Sequence, residues 1–270
     1  MLLGAARGLK FRPFHILVYS AKYYRKVRRG REPGAVEEPR DRLVRLHRSE
    51  FGASPRSPCP SRHDAPHDRT RSSRRSRPDS RLVIATIHAL ATGAELRRRN
   101  QGGDRVALLV NGGTSKPVPG TWSSTSELLA VRLAPRLPGW ELAELRYRVK
   151  SWKALDSCVA DAGAALSLLE ADRPRPVVLV GFSMGGAVSI ASAADPAVEA
   201  VLGLAPWIPD QLSIEPLRGK RFDVIHGAWD RWLPGVPGVS PDFSRRGFER
   251  IRAAGVPGTY TLLPRAVHGA

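Results

Sequence analysis

The apolar positions of this chain fall into two textures. Up to about residue 50 they are scattered, enough for a helix or two, and from residue 51 to residue 80 (FGASPRSPCPSRHDAPHDRTRSSRRSRPDS) they almost disappear. A segment so rich in Pro, Ser and Arg buries too little apolar surface to offset the entropy of ordering it, which predicts disorder there. From residue 81 the texture changes. Residues 82–89 form an apolar strand candidate, Ala91-Thr92-Gly93 supplies a turn, and residues 94–99 can return as an antiparallel partner. Residues 106–110 (VALLV) are continuously apolar, as expected of a strand covered on both faces.

The same reading continues to the end of the chain. A helical pattern over 123–137 leads to a strand at 140–148, and a strongly periodic helix at 155–170 leads to the strand 177–180 (VVLV). A helix at 184–194, strands at 198–204 and 222–226, a helix at 243–254 and a strand at 259–263 complete the series. Strands alternating with helices of this length require right-handed crossovers, and so predict an α/β fold with a mostly parallel sheet and helices on both faces. The expected organisation is a basic, largely disordered extension over 1–80 and one α/β domain over 81–270, without internal repeats.

Charge modifies this picture only at the N-terminal end. A formal net charge of +18 over 270 residues raises the question of nucleic acid or an anionic membrane surface. Residues 1–80 hold 20 Lys and Arg against 8 Asp and Glu, however, while the remaining residues hold 23 against 17. The extension lacks aromatic interleaving and any nucleic-acid-binding fold, so it reads as a solvated basic arm and nucleic acid is not an expected partner. Cys59 lies between prolines and Cys158 in a predicted helix. Two cysteines in such different settings make no disulfide framework, which points to a reducing cytoplasm. No window of about 18 apolar residues predicts a membrane span. The short apolar run at 15–21 has neither the length nor the cleavage site of a signal peptide.

Candidate chemistry centres on Gly181-Phe182-Ser183-Met184-Gly185, followed by Gly186, between VVLV and a helix rich in small residues. This is G-x-S-x-G in the strand–turn–helix setting that exposes a nucleophilic serine at the carboxyl end of a sheet. Glycines on either side let strand and helix approach without Cβ clashes. The free N–H groups at the helix start favour developing negative charge, and Met184 is the expected oxyanion donor.

A serine needs a base that is itself oriented by an acid. Only His226 and His268 follow Ser183. Asp230, in the loop directly after the strand ending at His226, is the expected acid; Asp210 and Asp242 are its rivals. His268, after the last strand, is the expected base, and His226 is expected to shape the acid's loop. A second oxyanion donor is expected from the loop Asn111-Gly112-Gly113-Thr114, with Gly113 preferred over Thr114.

Taken together, VALLVNGG, ELRYRVKSW, DSCVADAGAALSLL, VVLVGFSMGGA, VLGLAPW, VIHGAWDRWLP and the terminal VHG resemble small, capless α/β hydrolases of a kind common in actinobacteria and related to the dienelactone-hydrolase branch. The resemblance covers about residues 104–270; it is specific for the superfamily and weak for substrate. It implies an α/β-hydrolase fold with no large lid, since only about a dozen residues lie between Pro206 and Lys220, and an open site suited to small or flexible esters. Three departures stand out. Asn111 replaces the histidine of the His-Gly-Gly loop in many relatives, Ser183 replaces the cysteine of dienelactone hydrolases, and only two residues follow His268 where relatives continue into a final helix. The implied activity is cleavage of a carboxylic ester or related acyl bond of a small molecule through an acyl-enzyme (EC 3.1), without metal or organic cofactor. A thioesterase, amidase or acyltransferase on the same triad stays open, as does a non-catalytic binding protein that retains the fold.

Overall fold

The computed structural model describes residues 85–230 and 238–268. The extension over 1–80, with the disorder and the basic arm expected of it, lies outside the described residues. An eight-stranded sheet organises the rest in the order β1-β2-β5-β3-β7-β8-β9-β10. Its strands are β1 (Thr86–Ala89), β2 (Glu95–Arg99), β3 (Arg105–Val110), β5 (Trp140–Arg146), β7 (Val177–Phe182), β8 (Val198–Leu204), β9 (Arg221–Gly227) and β10 (Tyr260–Leu263). The β1–β2 and β2–β5 pairings are antiparallel, and every pairing from β5 to β10 is parallel. The parallel strands therefore end at one edge, where their loops can converge on a single site.

Continuous apolar runs become strands because both faces are covered. In β3, Val106, Leu108 and Val110 join the larger core cluster, while Ala107 and Leu109 join a smaller one on the opposite face. Helix α1 (Ser124–Leu133) contributes Ala130 to the smaller cluster. The larger one takes Ala162, Ala165 and Leu169 from α2 (Leu155–Asp172), Met184 and Val188 from α3 (Met184–Ala191), and Phe248 and Ile251 from α4 (Pro241–Ala253). Between β8 and β9 there is only an irregular segment with one short 3-10 turn, Glu215–Leu217, in place of a lid.

Departures from the expected elements have local causes. Helix α1 ends at Leu133 and not at 137, because Pro135 supplies no N–H to continue the ladder. Helix α4 starts earlier than expected, at Pro241: the Ser240 side chain caps it by accepting from Phe243 N, and proline suits the first helical position. Strand β7 runs on to Phe182 because Gly181 and Phe182 still pair with Gly203 and Leu204. Residues 149–150 leave the main sheet, and a two-residue strand β6 (Val149–Lys150) pairs with β4 (Val118–Pro119).

Strand β2 reads as polar (ELRRR), yet Arg98 and Arg99 are buried. Buried carboxylates on β5 compensate them. Arg98 Nε donates to Glu141 Oε1 at 2.5 Å, and Arg175 Nη2 lies 2.9 Å from Glu141 Oε2. Arg97 donates to Glu144 Oε2 at 2.7 Å, and Arg99 pairs with the same carboxylate.

The turn from β7 into α3 is the tightest part of the fold. A Cβ at Gly185 would stand 2.6 Å from the carbonyl oxygen of Asn111, and one at Gly186 would stand 2.5 Å from Pro206 Cβ. Gly185→Ala is therefore expected to destabilise the protein by about 3 kcal/mol through overpacking against fixed backbone. Gly163→Ala, in α2 with nothing within 4 Å of the new carbon, is expected to stabilise it by about 1 kcal/mol. Chemical denaturation of both variants checks the contrast, and equal effects would remove the steric account.

Candidate active site

Strand β7 delivers Ser183 at φ 55°, ψ −119°, a left-handed conformation that an L-residue adopts only at a cost of about 1–3 kcal/mol. Surrounding backbone holds it there. Ser183 N donates to Leu204 O at 3.0 Å, and Ser183 O accepts from Trp207 N at 2.8 Å and from Gly186 N at 2.9 Å. Met184 opens α3, where a first-turn N–H has no intrahelical acceptor.

The loop after β3 lies across this turn. Asn111 Oδ1 accepts from Gly112 N at 2.7 Å, and Tyr147, buried beneath, donates its hydroxyl to Asn111 O at 3.0 Å. A Cβ at Gly112 would lie 3.4 Å from Ser183 Cβ, and one at Gly113 would strike the Met184 side chain, 2.8 Å from its Cε. At Gly112 a side chain would make ordinary contact with the serine, whereas at Gly113 it would displace the end of Met184. Among the described residues the N–H groups of Gly113 and Met184 have no hydrogen-bond partner. The Thr114 N–H is likewise without a partner among the described residues, while its hydroxyl lies within hydrogen-bond distance of Lys116 O and Lys150 O.

On the other side of the serine, the loops after β9 and β10 are clamped together through backbone. Ala228 N donates to Leu263 O at 2.9 Å, and Trp229 N donates to Ala266 O at 2.9 Å. The clamp aligns Asp230 with His268, whose Nδ1 lies 2.6 Å from Asp230 Oδ2. The His268 ring packs on Phe182, with centroids 4.8 Å apart and planes tilted by 40°. His268 is thus anchored by its acid, by a neighbouring ring and by the Trp229–Ala266 backbone bond. No hydrogen bond among the described residues joins Ser183 Oγ to His268; such contacts are often long without substrate and tighten when it binds.

Asp210 and Asp242 are exposed, Asp242 sits in the first turn of α4, and neither bonds to His268. Asp230 is buried. Burial pushes its carboxyl up, but hydrogen bonds from His226 and His268 outweigh that, and the group lies below the usual carboxylate range. His226 does more than shape the loop: its Nε2 lies 3.0 Å from the same Oδ2, and its Nδ1 lies 2.6 Å from Ser244 Oγ. Ser244 and Tyr260 complete this cluster without any motif to mark them in the sequence.

A parallel sheet with a serine elbow after a central strand, and an acid loop and a histidine loop on later strands, defines an α/β-hydrolase fold. The chain belongs to the α/β hydrolase family, whose model matches residues 107–269. It is similar to protein phosphatase methylesterase 1 of Bos taurus, 27% identical over 135 residues that make up 49% of this chain and 33% of that protein. The chain thus spans about a third of the length of the curated relatives it matches. Among solved structures, it resembles the α/β hydrolase MGS-M1 from a Medee basin deep-sea metagenome library. The TM-score is 0.53 at 20% identity, over 68% of this chain and 83% of the other. It also resembles the carboxylesterase Cest-2923 of Lactobacillus plantarum, with a TM-score of 0.51 at 16% identity, over 69% and 84%. No helix among the described residues is long and apolar enough to cross a membrane.

The depressed Asp230 carboxyl has a consequence for stability. A group with a folded pKa below its unfolded value contributes stability above the unfolded pKa and loses it as pH falls through the folded one. The stability advantage of the native protein over Asp230→Asn is therefore expected to shrink as pH drops below about 4. Denaturant titrations of both proteins across that range test this. An advantage that stays level down to the acid limit would mean that Asp230 is not stabilised as a carboxylate.

Proposed function

We propose that the protein is a serine hydrolase that cleaves a carboxylic ester, or a closely related acyl bond, through an acyl-enzyme. One observation carries the reading: the Asp230–His268 pair, 2.6 Å apart, is packed on Phe182, next to a serine held at positive φ. In this reading Ser183 Oγ attacks the acyl carbon while His268, through its free Nε2, takes the hydroxyl proton. Asp230 holds Nδ1–H and stabilises the imidazolium. The oxyanion is received by the N–H groups of Met184 and Gly113. Collapse expels the alcohol, which leaves with the proton from His268. Water then attacks the acyl-enzyme and gives a proton to His268, and collapse releases the acid as His268 returns that proton to Ser183 Oγ.

The setting supports a small or flexible substrate with apolar character. The segment between β8 and β9 is too short to enclose the site, and Trp229 and Val267, beside Asp230 and His268, are 58% and 43% exposed. The bovine relative is named a methylesterase, which agrees with an ester as the bond cleaved.

A fluorophosphonate probe is expected to label the protein at Ser183, and Ser183→Ala to abolish labelling and lower kcat at least about 10⁴-fold. Hydrolysis of an aryl ester is expected to exceed that of the matching thioester and anilide measured side by side. Equal labelling of native and Ser183→Ala protein would sink the proposal; a folded native protein that is never labelled would favour a binding role for the fold.

A further inference from the structure

We propose that His226, held by Ser244 and Tyr260, is a positioning residue that fixes Asp230 and sets the basicity of His268. This rests on the serine-hydrolase reading for its effect on turnover but not for its geometry. His226 and Ser244 are buried side by side. His226 Nε2 faces two groups that only accept, Asp230 Oδ2 at 3.0 Å and Val239 O at 2.9 Å, so the ring's proton is assigned to Nε2. Nδ1 is then the acceptor and takes the hydroxyl proton of Ser244 at 2.6 Å. Ser244 Oγ in turn lies 2.8 Å from the Tyr260 hydroxyl, and either of the two can be the donor. Burial pushes the Tyr260 phenol up, so it remains a donor. Both hydroxyls also lie within reach of Pro241 O, at 3.1 Å from Ser244 and 2.9 Å from Tyr260.

The chain of hydrogen bonds from Tyr260 through Ser244 and His226 ends on Asp230 Oδ2, the oxygen that also takes His268 Nδ1. Two imidazoles therefore divide one carboxylate oxygen. A residue that merely filled space would not need an oriented proton, and the two acceptors facing Nε2 orient this one. Sharing has a defined sign. While His226 donates, part of the carboxylate's charge is spent on it, and the His268 imidazolium is stabilised less than it would be by an undivided partner. The charged and titratable groups facing the cluster are Asp230 and His268 from the loops, Tyr260 from β10, and Asp242 and Arg245 from α4. The Arg245 guanidinium lies 4.3 Å over the Tyr260 ring. Arg245 and Asp242 act at the Tyr260 end, remote from the shared oxygen.

The test uses the full-length protein with His226→Phe, Ser244→Ala and Ser244→Thr. His226→Phe is expected to move the acid limb of the kcat/KM profile upward by about half a pH unit and to lower kcat about tenfold at unchanged KM. Ser244→Ala should do the same more weakly, because His226 Nε2–H donates less well once Nδ1 loses its partner, and Ser244→Thr should restore native behaviour. The His268 pKa followed by imidazole ¹⁵N NMR should shift upward in step, and native His226 should show the Nε2–H tautomer across neutral pH. Unchanged His268 pKa values in Ser244→Ala and His226→Phe, or an Nδ1–H tautomer at His226, would overturn the proposal. If His226→Phe does not fold, Ser244→Ala and the native tautomer decide. Absence of fluorophosphonate labelling in the native protein would instead defeat the serine-hydrolase reading, and the NMR values would still decide on the relay.

Discussion

The close approach of α3 to the backbone of β3 is the constraint from which the site follows. Gly185 lies against the carbonyls of Val110 and Asn111, and Gly186 against Pro206, so the helix starts almost in contact with the sheet. At that distance the chain can leave β7 only through a sharp reversal, and the residue at its apex, Ser183, takes a positive φ. The place of the Ser183 side chain at the apex, the Met184 N–H left without a partner among the described residues and the seating of the Gly112-Gly113 loop on the serine all depend on this one packing distance.

Asp230 and His268 arrive by a separate route. Their loops follow β9 and β10, the last two strands of the sheet, and each is irregular on its own. Backbone bonds from Ala228 to Leu263 and from Trp229 to Ala266 make one unit of the two. Gly227 is where the two loops touch most closely, since any Cβ there would meet the backbone of Ala266 and Val267. Asp230 is thereby held in a buried position that would by itself favour the protonated acid, and two histidine donors reverse that preference.

Much of this was legible in the sequence. VALLV and VVLV announce strands covered on both faces, GFSMGG names its own turn, and the strand-end spacing singles out Asp230 and His268. The structure brings the last two together, while Asp210 and Asp242 stay at the surface. What could not be read is carried by common residues whose partners are distant in sequence. Ser244 and Tyr260 belong to a helix and a strand separated from His226 by 18 and 34 positions, and nothing in their local sequence marks them. The burial of the arginines in ELRRR could not be read because the carboxylates that compensate them, Glu141 and Glu144, sit more than 40 positions away. The β4–β6 pair is too short for any periodicity to register. Helix boundaries were missed where single prolines act, Pro135 ending α1 and Pro241 opening α4.

The arginines of β2 also divide the sheet by the kind of force that holds it. From β3 outward the strands are held by apolar side chains, whereas the antiparallel side adds to its apolar pair Leu96 and Leu145 the ion pairs of Arg97, Arg98, Arg99 and Arg175 with two carboxylates of β5. The desolvation penalty of ion pairs falls as temperature rises, while apolar burial gains little more per unit area. The two sides of the sheet therefore respond differently to heat. Warming tightens the balance of the charged side relative to the apolar side, so the serine and its loops stand on the half of the sheet that gains less from it.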